Sequence, residues 1–298
     1  MGRRRRGRPI HGWLVLDKPK GKTSAQAVAA VRRITGAAKA GHGGTLDPMA
    51  TGVLPIALGE ATKTVAYVIG GAKTYRFTIR WGEARDTDDA DGAVIETAEA
   101  RPDEAAIRAA LPDFIGEIEQ VPPTYAAIKV NGERAYALAR EGCAVALDAR
   151  PVTIESLTLV EMPDADHAAF EMRCGKGTYV RALARDLARR LGTVGHLAAL
   201  RRVAVGRFTD GDAISLDNLE ALMHSGAPLD LLRPVETALD DIPALAVTEP
   251  QASRMRQGQP ITTLDGFSGV VRVTHRRQLV ALAEVRGDKA HPVRVFNF

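Results

Sequence analysis

The fold of this chain turns on Gly41-His42-Gly43-Gly44-Thr45-Leu46-Asp47-Pro48, continued by Met49-Ala50-Thr51-Gly52. Three glycines in four positions let the backbone bend sharply and come close to a ligand. A single acid, Asp47, follows three residues after the last of them. Pro48 fixes its own φ and pushes Asp47 away from helical geometry. The carboxylate therefore stands on a stiff, extended bend, with His42 upstream on the same loop. The stretch contains no Gly-Lys-Ser/Thr phosphate loop, no metal-ligand spacing and no dinucleotide fingerprint. Taken alone it has two readings. In one, Asp47 caps the neighbouring backbone of a turn. In the other, the loop presents a reactive carboxylate.

Working outward, the 298 residues suffice for one large domain, or a large one with a small one. A hydrophobic share of 45% and a charged share of 26% are those of a soluble globular protein. No apolar run has the length of a membrane span, and the basic N-terminus lacks the apolar stretch of a secretory signal. The expected location is cytoplasmic. Only Cys143 and Cys174 are present, which suits neither a disulfide framework nor a zinc site. The net charge is +4, and Arg3, Arg4, Arg5, Arg6 and Arg8 carry five of the positive charges. Without them the chain has 35 basic and 36 acidic side chains. Residues 1–9 thus read as a disordered basic arm, either a ligand for nucleic-acid phosphates or a solubility tail.

Residues 12–16 read as a buried strand. Thr23 or Ser24 caps a helix over 24–35 that Gly36 closes. A strand is expected over Val53–Leu58 and a helix over Ala61–Ile69. Tyr75, Phe77, Ile79 and Trp81 alternate with Arg76, Thr78 and Arg80, a period-two strand with one apolar face. Residues 83–104 carry nine acids against Arg85 and Arg101. Their order does not match a calcium loop, so a solvated acidic loop is expected. Asn131-Gly132 is a turn signal before a helical Glu133–Arg140, and about 123–150 reads as a mobile excursion. Two strands over 151–161 and 168–174 precede a helix over 179–191. Between 170 and 208, nine Lys or Arg face only Glu171 and Asp186. A strand over 198–205 and a Ser215-capped helix to about 224 follow. Prolines 243, 250 and 260 mark a linker-like stretch before three short strands. The fold class is α+β: a body over 10–238 and a small β-rich module over 239–298.

Several side chains could carry chemistry. Asp47 is the best nucleophile or base, since a carboxylate can attack a carbon centre and leave again. No second acid is evidently paired with it, which argues against an ordinary glycosidase. Arg181, early in a helix after Gly175-Lys176-Gly177-Thr178-Tyr179, would hold that carboxylate ionised if the two meet, and is otherwise a surface or phosphate-binding arginine. Tyr75 and Tyr179 offer stacking planes for a base or core packing. His42 is a proton carrier, a wedge into folded RNA or an exposed ring. Lys18 and Lys20, flanking Pro19, suit phosphate contact or a solvated strand end. Arg201 and Arg202 belong to the same basic face, and Leu200 to the core.

These residues together resemble a known family. Gly41–Pro55 with Gly59-Glu60-Ala61-Thr62-Lys63 is similar to the catalytic motif of bacterial tRNA pseudouridine-55 synthases, the TruB family. The resemblance recurs in Leu16-Asp17-Lys18-Pro19 and in Lys73-Thr74-Tyr75-Arg76. It continues through Pro122–Lys129, Gly132–Tyr136, Cys174–Arg181 and Leu200-Arg201-Arg202. It covers about residues 10–235 in the family's order and spacing. It implies the pseudouridine synthase fold, a mixed, mainly antiparallel sheet flanked by helices and loops, with a truncated PUA-like RNA-binding module at the C-terminus. It implies conversion of one uridine in the T-loop of tRNA to pseudouridine on a flipped-out base. It implies no metal and no cofactor; a monomer with tRNA as partner, no membrane and no obligatory protein partner is expected. Asp47 then matches the nucleophile, Arg181 its ion-pair partner, and Tyr75 a stacking residue and general base. His42 matches a residue that opens the T-loop, and Tyr179 and Leu200 line the uracil pocket. A non-catalytic tRNA-binding module that uses the same basic face is the alternative.

Overall fold

A computed structural model of the chain describes residues 7–126, 129–130, 133–134, 147–226, 230–263 and 266–298. In chain order the body contains β1 (Gly12–Lys18), α1 (Ser24–Thr35), β2 (Ala40–His42), β3 (Thr51–Leu58), α2 (Val65–Gly70) and β4 (Lys73–Trp81). It goes on with β5 (Glu83–Arg85), β6 (Val94–Thr97), α3 (Glu104–Ala110), β7 (Gly116–Gln120), β8 (Lys129–Val130) and β9 (Glu133–Arg134). Then come β10 (Arg150–Asp164), β11 (His167–Cys174), α4 (Val180–Arg190), β12 (Gly195–Val205), β13 (Phe208–Thr209) and α5 (Leu216–His224). The C-terminal part holds β14 (Ala244–Ala246), α6 (Glu249–Arg256), β15 (Ile261–Thr262), β16 (Gly269–His275), β17 (Gln278–Arg286) and β18 (Lys289–Val295).

One sheet runs β1-β3-β12-β4-β11-β10-β7, with β2 added on β3 and β13 on β12. Of these pairs only β3–β12 is parallel. A second sheet runs β14-β16-β17-β18-β15. The expected α+β class with a β-rich C-terminal module is what the chain forms.

Both faces of β1 are covered, which is why its sequence is a continuous apolar run. Leu14 and Leu16 meet Ala27 and Val31 of α1 and Leu54 and Ile56 of β3. That cluster extends across Phe77, Ile79 and Trp81 to Leu183 and Leu187 of α4. Trp13 and Val15 point the other way, into a cluster with Val53, Phe208, Leu239, Leu279, Leu282 and Phe296. The second sheet therefore packs directly on the first. Thr23 caps α1 through a reciprocal pair with Gln26, and Gly36 ends it at φ 69°.

Four expectations need correction. The helix over 61–69 is split. A 3₁₀ turn, Gly59–Lys63, comes first, and the Thr64 hydroxyl donates to the Ala61 carbonyl where α2 begins. The acidic segment is not a solvated loop, because β5 and β6 pair and the loop between them turns Asp88 and Asp89 inward onto cations of α4. Residues 133–134 are not helical, since Lys129 and Val130 pair with Arg134 and Glu133 as a hairpin. The remainder of the 123–150 excursion, apart from residues 123–126 and 147–150, lies outside the described residues. The basic arm does not stay separate through residue 9: the Arg8 N–H donates to the Gly36 carbonyl and its carbonyl accepts from Ala38. Arg3–Arg6 lie outside the described residues.

Candidate active site

The loop between β2 and β3 carries Asp47 and is stitched down along its length. The Gly43 N–H donates to the Pro55 carbonyl at 2.8 Å. The Ser24 hydroxyl accepts from the Leu46 N–H at 2.8 Å and donates to the Leu46 carbonyl at 3.1 Å. The Pro48 carbonyl accepts from the Gly21 N–H and from the Lys18 ammonium. A carboxylate held on such a frame loses little further freedom when it acts.

Asp47 Oδ2 lies 2.9 Å from Nε of Arg181, which is only 5% exposed. Arg181 also donates to the Thr87 carbonyl and to the Tyr125 carbonyl, each at 3.2 Å. Its Nε is 3.7 Å from Asp89 Oδ2. One buried guanidinium is thus shared by two carboxylates, of which Asp47 is the more exposed. Asp89 is itself fixed by the Thr87 hydroxyl at 2.6 Å and the Asp91 N–H at 3.1 Å. Sequence reasoning missed Asp89 because the acidic run around it looked solvated. The informative signal was the pairing of that run with the basic segment that starts near residue 170.

A cavity of about 280 Å³ opens beside this pair, walled by Thr45, Asp47, Tyr75, Tyr179, Leu200 and Arg202 among others. Tyr75 contributes a ring nearly removed from solvent. Burial pushes its hydroxyl up, with Arg202 opposing. The phenol is therefore protonated at neutral pH. In that state it offers a ring face and a hydroxyl donor to the cavity. Tyr179 is half-buried, and burial pushes its hydroxyl up as well. Its backbone is gripped on both sides by Gln120: the side-chain amide donates to the Tyr179 carbonyl at 3.1 Å and accepts from its N–H at 2.8 Å. Nothing in the sequence marked Gln120 for this role. Leu200 is nearly buried on the cavity wall. Charged groups on the wall are Asp47 against Lys73, Lys176, Arg181 and Arg202, a lining of net positive charge.

The remaining candidates are dispersed. His42 sits on β2, opposite Ile56, outside that wall. Burial first, and then Arg202, hold its imidazole below its ordinary pKa, so it is neutral at pH 7. Lys18 is not a phosphate ligand. It is fully buried and donates to the carbonyls of Pro19, Lys22 and Pro48. Burial pushes its ammonium down to about 8, against the pull of Asp47. Lys20 is exposed. Arg201 points away from the cavity and pairs with Asp17 at 2.9 Å. With Lys20 and Arg76 it lines a separate trough of about 590 Å³. Arg202 is 1% exposed and donates to the Val53, Thr45 and Gly44 carbonyls, with the Tyr75 hydroxyl also beside it, so it does not belong to an open basic face. Other cations of the 170–208 segment are paired within the chain, Arg173 to Glu155, Arg185 to Asp88 and Arg190 to Asp113. Among the described residues, no group of three His, Cys, Asp or Glu could hold a metal ion, and no helix is long and apolar enough to cross a membrane.

Comparison with known proteins adds to this geometry. Residues 32–180 match the model of the TruB family pseudouridylate synthase N-terminal domain. Residues 181–240 match the tRNA pseudouridylate synthase B C-terminal domain, and residues 243–296 the C-terminal model of pseudouridine synthase II TruB. The chain is 58% identical to tRNA pseudouridine synthase B of Bradyrhizobium diazoefficiens, over 99% of this chain and 88% of that one. It is 59% identical to the protein of that name from Gluconacetobacter diazotrophicus, over 98% and 99%. For Rhodospirillum rubrum the identity is 53%, with complete coverage of both chains. Among solved structures, a chain in the archaeal box H/ACA sRNP Nop10-Cbf5 complex superposes with a TM-score of 0.73 at 24% identity. That match spans 100% of this chain and 93% of the other, and is a likeness of fold.

Proposed function

The chain belongs to the TruB family of pseudouridylate synthases, and from that premise we propose that it converts uridine 55 in the T-loop of tRNA to pseudouridine, with Asp47 as the nucleophile. It is an isomerase acting on tRNA, as its close likeness to several tRNA pseudouridine synthases B supports. The observation that carries the finer reading is the Asp47–Arg181 ion pair at 2.9 Å on the wall of a cavity that Tyr75 and Leu200 also line.

A uridine inside a folded loop cannot meet a carboxylate held in this way, so it must leave the stack, at a cost of a few kcal/mol. Stacking on an aromatic ring such as Tyr75 returns about 1–3 kcal/mol. Arg181 keeps Asp47 ionised and aimed. The carboxylate adds to a carbon of the nucleotide, either the anomeric carbon or a carbon of the uracil ring, and the N1–C1′ bond breaks. The base turns within the cavity and C5 bonds to C1′. C5 then loses its proton, N1 gains one and the carboxylate leaves, so atoms balance with no added reactant. One carboxylate is enough, because no water has to be activated. The T-arm as substrate, action as a monomer and an RNA-binding C-terminal module are parts of the same proposal.

The test is Asp47→Asn, assayed by tritium release from tRNA labelled at C5 of uridine. The near-isosteric amide keeps the fold, and release is expected to fall to background. Near-normal release would remove Asp47 from the mechanism, and release absent from the unaltered protein would remove the activity itself.

A further inference from the structure

We propose that Arg202 is a positioning residue of the catalytic loop: from β12 it holds the backbone of Gly44 and Thr45, and so sets where Asp47 stands. The inference rests on Asp47 being the nucleophile. Arg202 is 1% exposed. Its Nε donates to the Val53 carbonyl at 2.8 Å, Nη1 to the Thr45 carbonyl at 3.3 Å and Nη2 to the Gly44 carbonyl at 3.1 Å. Among the described residues it forms no ion pair. A buried guanidinium is costly unless its donors are met, and here main-chain carbonyls meet them. Two of those carbonyls lie two and three residues before Asp47 in the chain. The third, Val53, lies beyond the other end of the loop. The fork therefore ties both ends of the loop to one point on β12.

The glycines of the motif fit this arrangement. Gly52 pairs with Arg202 across the parallel β3–β12 ladder at φ 97°, and a Cβ there would fall on the Arg202 carbonyl. Gly44, at φ 127°, lies against the guanidinium, where a Cβ would come 3.6 Å from Nη1. Tyr75 is the antiparallel partner of Arg202 on the other side of β12. The same residue thus stands between the loop that carries Asp47 and the strand that carries the aromatic ring. The charge is felt around it too, since it holds Lys18, His42 and Lys73 toward their neutral forms, in each case after burial or an additional group.

A lysine keeps the charge but brings a compact ammonium that cannot reproduce a planar fork across three carbonyls. Arg202→Lys and Arg202→Gln are therefore compared in single-turnover tritium release at saturating enzyme, beside tRNA binding by filter retention and thermal melting. Both variants are expected to slow the single turnover about a hundredfold, as a misplacement on the order of 1 Å does. The tRNA Kd is expected to stay within about threefold of the unaltered protein, the pattern of a group that serves only the transition state. A normal single-turnover rate in Arg202→Lys would make the residue a source of charge alone and overturn the proposal. A weakened Kd with a normal rate at saturation would make it a phosphate contact and overturn it too. Should either variant melt below the assay temperature, the Nε–H of Arg202 in the unaltered protein decides by NMR. Slow exchange with solvent and no shift on adding product tRNA are expected, and fast exchange or a shift that tracks binding overturns the proposal. The unaltered protein run in parallel separates these outcomes from failure of the functional assignment, in which it releases no tritium either.

Discussion

The cations of this site divide by what their nitrogens touch. Arg181 meets two carboxylates besides two carbonyls, whereas Lys18, Lys73 and Arg202 form no ion pair among the described residues and meet carbonyl oxygens of the main chain. A sequence displays the charge of such residues but not their burial. Lys18 accordingly reads as a phosphate contact or a solvated strand end and Arg202 as part of a basic face, whereas both are buried against main-chain carbonyls. Asp47, Tyr75 and Arg181 were legible because a glycine loop, a period-two strand and a helix start each constrain the direction of a side chain. Asp89 was not, since its partner comes from α4, about ninety residues away in sequence. The buried ammonium of Lys18 makes a pH prediction. Its pKa falls from 10.5 to about 8 on burial. Below pH 8 it is charged in both the folded and the unfolded chain, and burial weighs against folding. Between about 8 and 10.5 the folded state has released the proton while the unfolded chain still holds it, so this group adds stability as pH rises. Urea unfolding of the unaltered protein and of Lys18→Met from pH 7 to 10.5 should show their difference moving in favour of lysine. A difference independent of pH would mean that the ammonium is not desolvated.

Elements were legible where local chemistry agrees with the tertiary outcome. The Thr23 cap, the Gly36 stop and the alternation along β4 each state a boundary or a face without reference to the rest of the chain. Where a boundary depends on a distant partner, the reading failed. The 3₁₀ turn at Gly59–Lys63 is held partly by Lys63 donating to the Val295 carbonyl in the second sheet. Helix α6 is hidden in the sequence because Pro250 reads as a linker residue. In its first turn a proline is permitted, and Thr248 with Gln251 forms a reciprocal cap. The most exacting joint between elements is the β3–β12 pairing at Gly52. Gly52→Ala must leave φ 97° or push β12 away, and is expected to cost roughly 2–4 kcal/mol. Urea denaturation measures this, and a cost below about 0.5 kcal/mol would mean that the close approach is not required.

At the scale of the whole molecule, the two sheets share a core. Leu282 of β17 is fully buried in the cluster that holds Trp13 and Phe208. Leu282→Ala should therefore destabilise the body by about 2–5 kcal/mol, although it alters only the small module. Because Trp13 and Trp81 both belong to the body, tryptophan fluorescence during urea unfolding reports the effect. An unchanged midpoint would show that the two sheets unfold independently. The sequence showed a change of character near residue 239, but not that the module closes over β1, because strand alternation says which side chains share a face and not what covers it. That coverage has a consequence for synthesis. Trp13 and Val15 are made first, while Leu279, Leu282 and Phe296, part of their cover, are made last. At about 5–20 residues per second, the outer face of the first strand waits on the order of tens of seconds on the ribosome for its cover. Over that interval it is an apolar surface open to chaperones, and its folding cannot finish until the last strands of the chain have emerged.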